Sequence, residues 1–254
     1  MILTLVLITI GALLFLVIVY NILQQYRQKQ AAEKRAVLIR HSRIVNETEE
    51  LLLNASQLPY SRTLVLILYQ RVQNSLQTMV ETDPGNTQLA GRLDNVRQQI
   101  ADARENFPPV QGSFRRPESD QQALHMLKLV KRLRHVVRQE HNNGKVGSQT
   151  FVAEDRRLEL MQLKINLNNL LKRVRMAISN RETATARQML EKGKRILGNL
   201  TDKDDQLLNI EQTIQEWIDE LDTRQHEVEQ QKEKEEQEKE KSELDMLFEP
   251  KRKW

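Results

Sequence analysis

Residues 158–177, LELMQLKINLNNLLKRVRMA, carry Leu160, Leu163, Leu167, Leu170, Val174 and Ala177 at alternating steps of three and four. On an α-helix that spacing draws one apolar seam down one side for more than two heptads. Leu158, Met161 and Ile165 add a second stripe beside it. A helix that is apolar on two sides must be covered on two sides, so residues 153–179 are predicted as the central helix of a bundle. A free coiled coil would need a longer seam and a more polar remainder. The seam also leaves open a homo-oligomer.

Working outward toward the C-terminus, residues 181–200 and 204–229 are predicted as a helical hairpin turning at residues 199–202. Met189, Ile196 and Leu197 mark the first arm, and Leu207, Ile210, Ile214, Trp217, Ile218 and Leu221 line the second. Residues 224–243, RQHEVEQQKEKEEQEKEKSE, then offer only Val228 for burial. Glu and Lys four apart support an exposed helix by about 0.2–0.5 kcal/mol per pair, so a spacer helix and a disordered tail both fit this composition. After the spacer an apolar cluster returns, with Leu244, Met246, Leu247 and Phe248, and Trp254 follows a basic Lys251-Arg252-Lys253 run. A short amphipathic helix presenting these side chains suits docking into another protein's groove, whereas the plain alternative is a tail lying on its own bundle.

Toward the N-terminus, Asn142, Asn143, Gly144 and Gly147 end a helix predicted over residues 120–141, opened by a capping box of Ser119 with Gln122. Its Lys128, Lys131, Arg132, Arg134, His135 and Arg138 interleave with Leu124, Leu127, Val130, Leu133 and Val137. Lys131, Arg132 and Arg134 are the candidate contacts to lipid or nucleic-acid phosphates, set against an ordinary bundle helix with a solvated basic face. Few aromatics accompany them, so nucleic acid is disfavoured. Residues 107–119, FPPVQGSFRRPES, read as a Pro-rich linker. Ahead of it residues 58–106 form a predicted hairpin. Leu64, Leu68, Val72, Leu76 and Met79 stripe one helix, Leu89, Leu93, Val96 and Ile100 the next, and Asp83, Pro84, Gly85 and Asn86 make the turn.

Leu89, Val96 and Ile100 stand to the first turn about as Leu207, Ile214 and Ile218 stand to the second. Over about forty residues this pattern resembles tetratricopeptide-style hairpins, whose inter-repeat turns are of the Asp-Pro-Gly-Asn kind. The aromatic and small-residue signature of that family is absent and no period near 34 is sustained, so membership is not inferred and generic helix packing accounts for the same residues.

Residues 2–23, ILTLVLITIGALLFLVIVYNIL, hold no Asp, Glu, Lys or Arg. At about 1.5 Å per residue they match the roughly 30 Å bilayer core. The run is too long for a signal-peptide apolar region and no small-residue cleavage pattern follows it, so residues 1–23 are predicted to be an uncleaved single-pass anchor. Arg27, Lys29, Lys34, Arg35, Arg40 and Arg43 follow it against one acid, Glu33. Basic residues resist translocation, which predicts the N-terminus outside and the body in the cytoplasm. Within this basic helix, residues 24–57, Arg27, Lys29, Lys34 and Arg35 are further candidate contacts to anionic headgroups.

The 254-residue chain has no Cys, which excludes disulfides, thiolate metal sites and a cysteine nucleophile. Residues 1–200 carry 30 Lys and Arg against 17 Asp and Glu, whereas residues 201–249 carry 6 against 18. The five His stand at 41, 125, 135, 141 and 226 with no i, i+4 pair, and the eight Gly form no phosphate-cradling loop. No catalytic residue, cofactor or metal ligand is predicted.

The expectation is therefore an all-α chain: a transmembrane helix, helical hairpins forming a bundle (residues 120–223 at its centre) or short α-solenoid, and a charged C-terminal segment. Its expected role is a membrane-anchored adaptor that recruits a cytoplasmic protein partner. Peripheral lipid or nucleic-acid binding through the basic helices is the alternative, and enzyme activity is not expected.

Overall fold

The structure, a computed structural model, describes the backbone of residues 2–107 and 116–248, and the side chains of residues 16, 18–107 and 116–237. Among the described residues the chain is all-α, with seven helices packed as sequential hairpins. They are α1 (Ile2–Leu53), α2 (Arg62–Thr82), α3 (Thr87–Glu105), α4 (Asp120–Asn142), α5 (Ser148–Ser179), α6 (Thr183–Gly198) and α7 (Asp205–Phe248); a 3-10 turn, Asn54–Ser56, closes α1. Two compact units form. The first comprises Met1–Arg115 with Lys128–Leu158, the second Arg116–Leu127 with Glu159–Trp254.

Local chemistry sets the helix ends. The Ser61 hydroxyl accepts from the Leu64 amide and caps α2, and the Asn86 carboxamide oxygen accepts from the Gln88 and Leu89 amides at the head of α3. Each supplies an acceptor to amides that have no intrahelical partner. At the head of α4 the Gln122 amide donates to the Ser119 hydroxyl, as a capping box requires, while the Gln122 side chain accepts from the Glu118 amide, one residue before the Ser119 amide that the box would use. Asp204 caps α7 through the Leu207 amide. Two helices end alike, with the last amide reaching back five residues: Lys145 to Glu140 after α4, and Glu182 to Ala177 after α5. Such an ending needs one left-handed residue, Gly144 at φ 71° in the first case and Arg181 at φ 63° in the second.

In the first unit, α1, α2 and α3 bury a common core of Val45, Val72, Leu76, Met79, Leu89, Leu93, Val96 and Ile100. Every residue of the predicted α2 and α3 stripes is buried. Val65 and Ile67 of α2 are buried along with that row, whereas Arg62, Thr63, Gln77 and Glu81 are exposed. On α4 the buried row is Ala123, Met126, Val130, Leu133 and Val137, whereas Leu124, expected on the apolar face, is exposed. One residue along a helix is about 100° around it, enough to carry Leu124 out of the row.

In the second unit, α5, α6 and α7 share Leu167, Val174, Ala177, Leu190, Leu197, Leu207, Ile210 and Ile214, among others. Leu160, Leu163 and Leu170 of the predicted seam are only partly buried, and Leu158, Met161 and Ile165 beside it are buried. Helix α5 begins at Ser148, five residues before the predicted start, because residues 148–152 have no apolar period to announce them. The face that α6 buries is Ala186, Leu190, Gly193 and Leu197, and Ile196 is exposed. Gly193 permits a close approach: a Cβ there would stand 2.9 Å from Ile214 Cδ1 and 3.4 Å from Leu170 Cδ2.

Helix α7 continues through Phe248, so the charged segment is helical backbone. No helix among the described residues is long and apolar enough to cross a membrane. Most of the side chains of the predicted anchor, 1–15 and 17, lie outside the described residues, as do linker residues 108–115.

Gly193 yields a graded test. Alanine gains about 1 kcal/mol of helix propensity, which offsets the displacement of a single terminal methyl, so Gly193→Ala should leave the urea midpoint nearly unchanged. Gly193→Val overfills the same gap and should destabilise by about 1–3 kcal/mol. Equal midpoints for both variants would show that the close approach is not there.

Candidate functional site

The most elaborate polar arrangement lies within the first unit, where α1, α2 and α4 meet. Arg71 comes from the apolar run of α2, and only 7 % of it is exposed. Its Nη1 donates to Glu140 at 2.5 Å and its Nη2 to the Gln139 carboxamide oxygen at 3.0 Å. Glu140 is itself 4 % exposed. A buried charge is tolerated when an opposite charge and hydrogen bonds replace its water, and each partner here does that for the other. Nε of Arg71 is buried and has no hydrogen-bond partner.

Arg71 lines a cleft of about 520 Å³ together with Arg40, His41, Asn74, Ser75 and Thr78, and the end of α4 supplies Glu140, Asn143 and Lys145. The left-handed turn at Gly144 sends the chain back over the last turn of α4, which brings Lys145 to the rim. Glu81 also lines the cleft, where its carboxylate accepts from Gln77. His41 Nδ1 is a second buried atom without a partner. Burial lowers the His41 pKa from 6.5, and the nearby positive charges of Arg40 and Lys145 lower it further, so the ring is neutral at pH 7.

A second cleft, of about 400 Å³, also touches Arg71 and holds Glu47, Lys131, Arg132 and His135. Here Arg132 makes a bidentate pair with Glu50 at 2.7 and 2.9 Å. That hydrogen bond raises the Arg132 pKa. Arg134 forms a matching fork on Asp155 of α5, at 2.8 and 2.9 Å, and holds the Asp155 carboxyl below its usual 3.8. Two of the three α4 cations singled out from the sequence thus carry carboxylate partners, and Lys131 is exposed.

Around the head of α2 the Ser61 hydroxyl donates to the buried Glu154 carboxylate at 2.7 Å while capping its own helix. Arg157 Nη2 donates to the Pro59 carbonyl at 3.0 Å, and the buried Tyr60 hydroxyl donates to the Leu51 carbonyl at 2.9 Å. Burial pushes the Tyr60 pKa up. The His141 ring stacks on Phe151 at 4.4 Å and its Nδ1 donates to the Val146 carbonyl, closing the α4–α5 turn.

Arg27, Lys29, Lys34 and Arg35 are all exposed on α1. Leu244, Met246, Leu247 and Phe248 belong to the backbone of α7, but their side chains lie outside the described residues, as does Trp254 altogether. No group of three or more His, Asp or Glu is placed to hold a metal among the described residues. The Arg71 cleft had no local signal in the sequence beyond an arginine inside an apolar helical run. Compared with known protein families, characterised proteins and solved structures, the chain matches none.

Removing Glu140 alone leaves the Arg71 charge buried, so Glu140→Ala should cost about 3–5 kcal/mol in urea unfolding. The double variant Arg71→Met with Glu140→Leu should recover most of that loss. A double variant as unstable as the single one would refute a buried charge pair.

For Asp155 the depressed folded pKa means that the unfolded chain takes up its proton first as pH falls. The stability from the Arg134 fork is therefore present above pH 3.8 and lost as pH falls through the lower folded value. Asp155→Asn should flatten the fall in urea midpoint between about pH 5 and about pH 3, and an unchanged profile would contradict the shift.

Proposed function

We propose that the protein is a membrane-tethered, non-enzymatic helical scaffold that recruits a protein partner to the cytoplasmic face of a cell membrane. The observation that carries this reading is the exposure of α1. Leu16, Ile18, Tyr20, Ile22, Leu23 and Tyr26 are each more than half exposed, and from residue 20 to residue 36 every side chain of the helix is exposed. Among the described residues, these apolar side chains of α1 are left largely uncovered by the rest of the protein. Residues 2–23 carry no charge, and a lipid bilayer is the solvent that suits such a surface.

The next turns of α1 carry Arg27, Lys29, Lys34 and Arg35, which suit an anionic inner leaflet at about 1 kcal/mol each. Val45, Thr48 and Leu51, on the same unbroken helix, are buried in the first unit, so the anchor and the body are one rigid element in this reading. At the other end, the side chains of residues 223–237 along α7 are all exposed. A solvated helical spacer of this kind would carry Leu244, Met246, Leu247, Phe248 and Trp254 to a partner's groove. Tethering raises the effective concentration of such a short motif near the membrane, which compensates for weak intrinsic affinity. Peripheral binding to lipid through Lys131, Arg132 and Arg134 has less support, because Arg132 and Arg134 already fork onto carboxylates.

Two measurements test the reading. A reporter active only in the cytoplasm, fused after Arg43, should be active, and one active only outside should be silent; the reverse pattern would overturn the topology. Deleting residues 244–254 should remove co-purified partners that the full chain retains, and identical partner sets would overturn the role of the tail.

A further inference from the structure

We propose that the cleft between α1, α2 and the end of α4 binds a small hydrophilic phosphate ester, with Arg40 and Lys145 at its rim and Arg71 in its wall. Four features of the cleft point to this ligand chemistry. Arg71 presents a guanidinium whose Nη1 and Nη2 are committed to Glu140 and Gln139, which leaves the buried Nε–H as a donor with no acceptor. A buried donor left without an acceptor is costly, so this guanidinium still favours negative charge nearby. Although Arg71 touches both clefts, the second unpartnered buried atom, His41 Nδ1, belongs to this one alone.

Charge distinguishes the rim. Arg40 and Lys145 are exposed and have no ion-pair partner among the described residues, whereas Arg132 and Arg134 nearby on α4 are forked onto carboxylates. Both cations line the cleft together with His41. Against them stands one rim carboxylate, Glu81, since Glu140 is already neutralised by Arg71. With Arg71 and Glu140 paired, Arg40 and Lys145 outweigh Glu81 by one positive charge, which favours an anionic group with several acceptor oxygens, such as a phosphate ester.

The remaining walls describe the rest of the ligand. Asn74, Ser75, Thr78, Gln139 and Asn143 present amide and hydroxyl groups, which hydrogen-bond hydroxyls in either direction. Ile44 is the one aliphatic side chain in the lining, and the His41 imidazole is its one aromatic ring, with no Phe, Tyr or Trp beside it. A volume of about 520 Å³ falls in the range of small-molecule sites. A phosphorylated sugar or polyol meets these terms better than a nucleotide does. The same chemistry is offered by a free sugar phosphate and by a phosphorylated polyol headgroup of a lipid.

The test uses the full chain in uncharged detergent micelles, titrated with glucose 6-phosphate, with glucose, and with phosphatidylinositol 4-phosphate added to the micelles. Glucose 6-phosphate should bind saturably at one site and raise the melting temperature, and glucose should do neither. Arg40→Gln combined with Lys145→Gln should weaken binding at least tenfold. These residues are exposed and unpaired, so the urea midpoint should hold; single reversals Arg40→Glu and Lys145→Glu should each weaken binding as well. Saturable binding of the lipid alone, lost in the same variants, would support the site and assign its ligand to a headgroup. Binding of neither phosphate ester, or equal affinity in the rim variants, would overturn the proposal.

Discussion

Helix α2 buries one broad face and keeps one solvated side. Leu64, Leu68, Val72, Leu76 and Met79 lie in a row that α1 and α3 help to cover, Val65 and Ile67 are buried with them, and Arg62, Thr63, Gln77 and Glu81 are exposed. At about 100° per residue, Arg71 comes round to within about 20° of Leu64, so it shares the buried face. The charge then requires Glu140 and Gln139, and these fix where the last turns of α4 rest against α2. A buried pair of this kind contributes little net stability, because desolvation offsets most of its attraction, but it penalises any register in which the partners fail to meet.

That register has a chemical by-product. Once the end of α4 is placed against α2, the left-handed turn at Gly144 carries Lys145 back toward Arg40 and His41 of α1. Cations from three parts of the chain then share one polar cleft, while other α4 cations are consumed by Glu50 and Asp155. The basic face of α4 is thus divided between structural forks and unpaired rim charge. Charge counting along one helix cannot separate those roles, because the carboxylates involved sit 21 and 82 residues away.

The second unit relies on the opposite device. Where α2 buries large side chains across one broad face, α6 turns Ala186 and Gly193 inward between Leu190 and Leu197. Small residues allow Ile214 of α7 and Leu170 of α5 to approach the α6 backbone. A search for large apolar residues passes over such a face, which is why the sequence marks Ile196 for the apolar face and the structure leaves it exposed, although the α6–α7 hairpin itself is legible.

The sequence by itself determined most of the helices. Stripes at steps of three and four in α2, α3 and α7, and the cap at Ser119, depend on neighbours within a few residues, and such interactions are written locally. The start of α5 escaped because residues 148–152 have neither an apolar period nor a strong cap, and the face of α4 slipped by one residue because its apolar positions are too many to define a single row. Only the tertiary structure decided which cations are paired, that Arg71 is buried, and that His41, Arg71 and Lys145 line one cleft. Those outcomes depend on groups tens of residues apart, whose energies are set by burial and by the partner that happens to lie opposite. Burial and opposition are properties of packing, and no local pattern of residues encodes them.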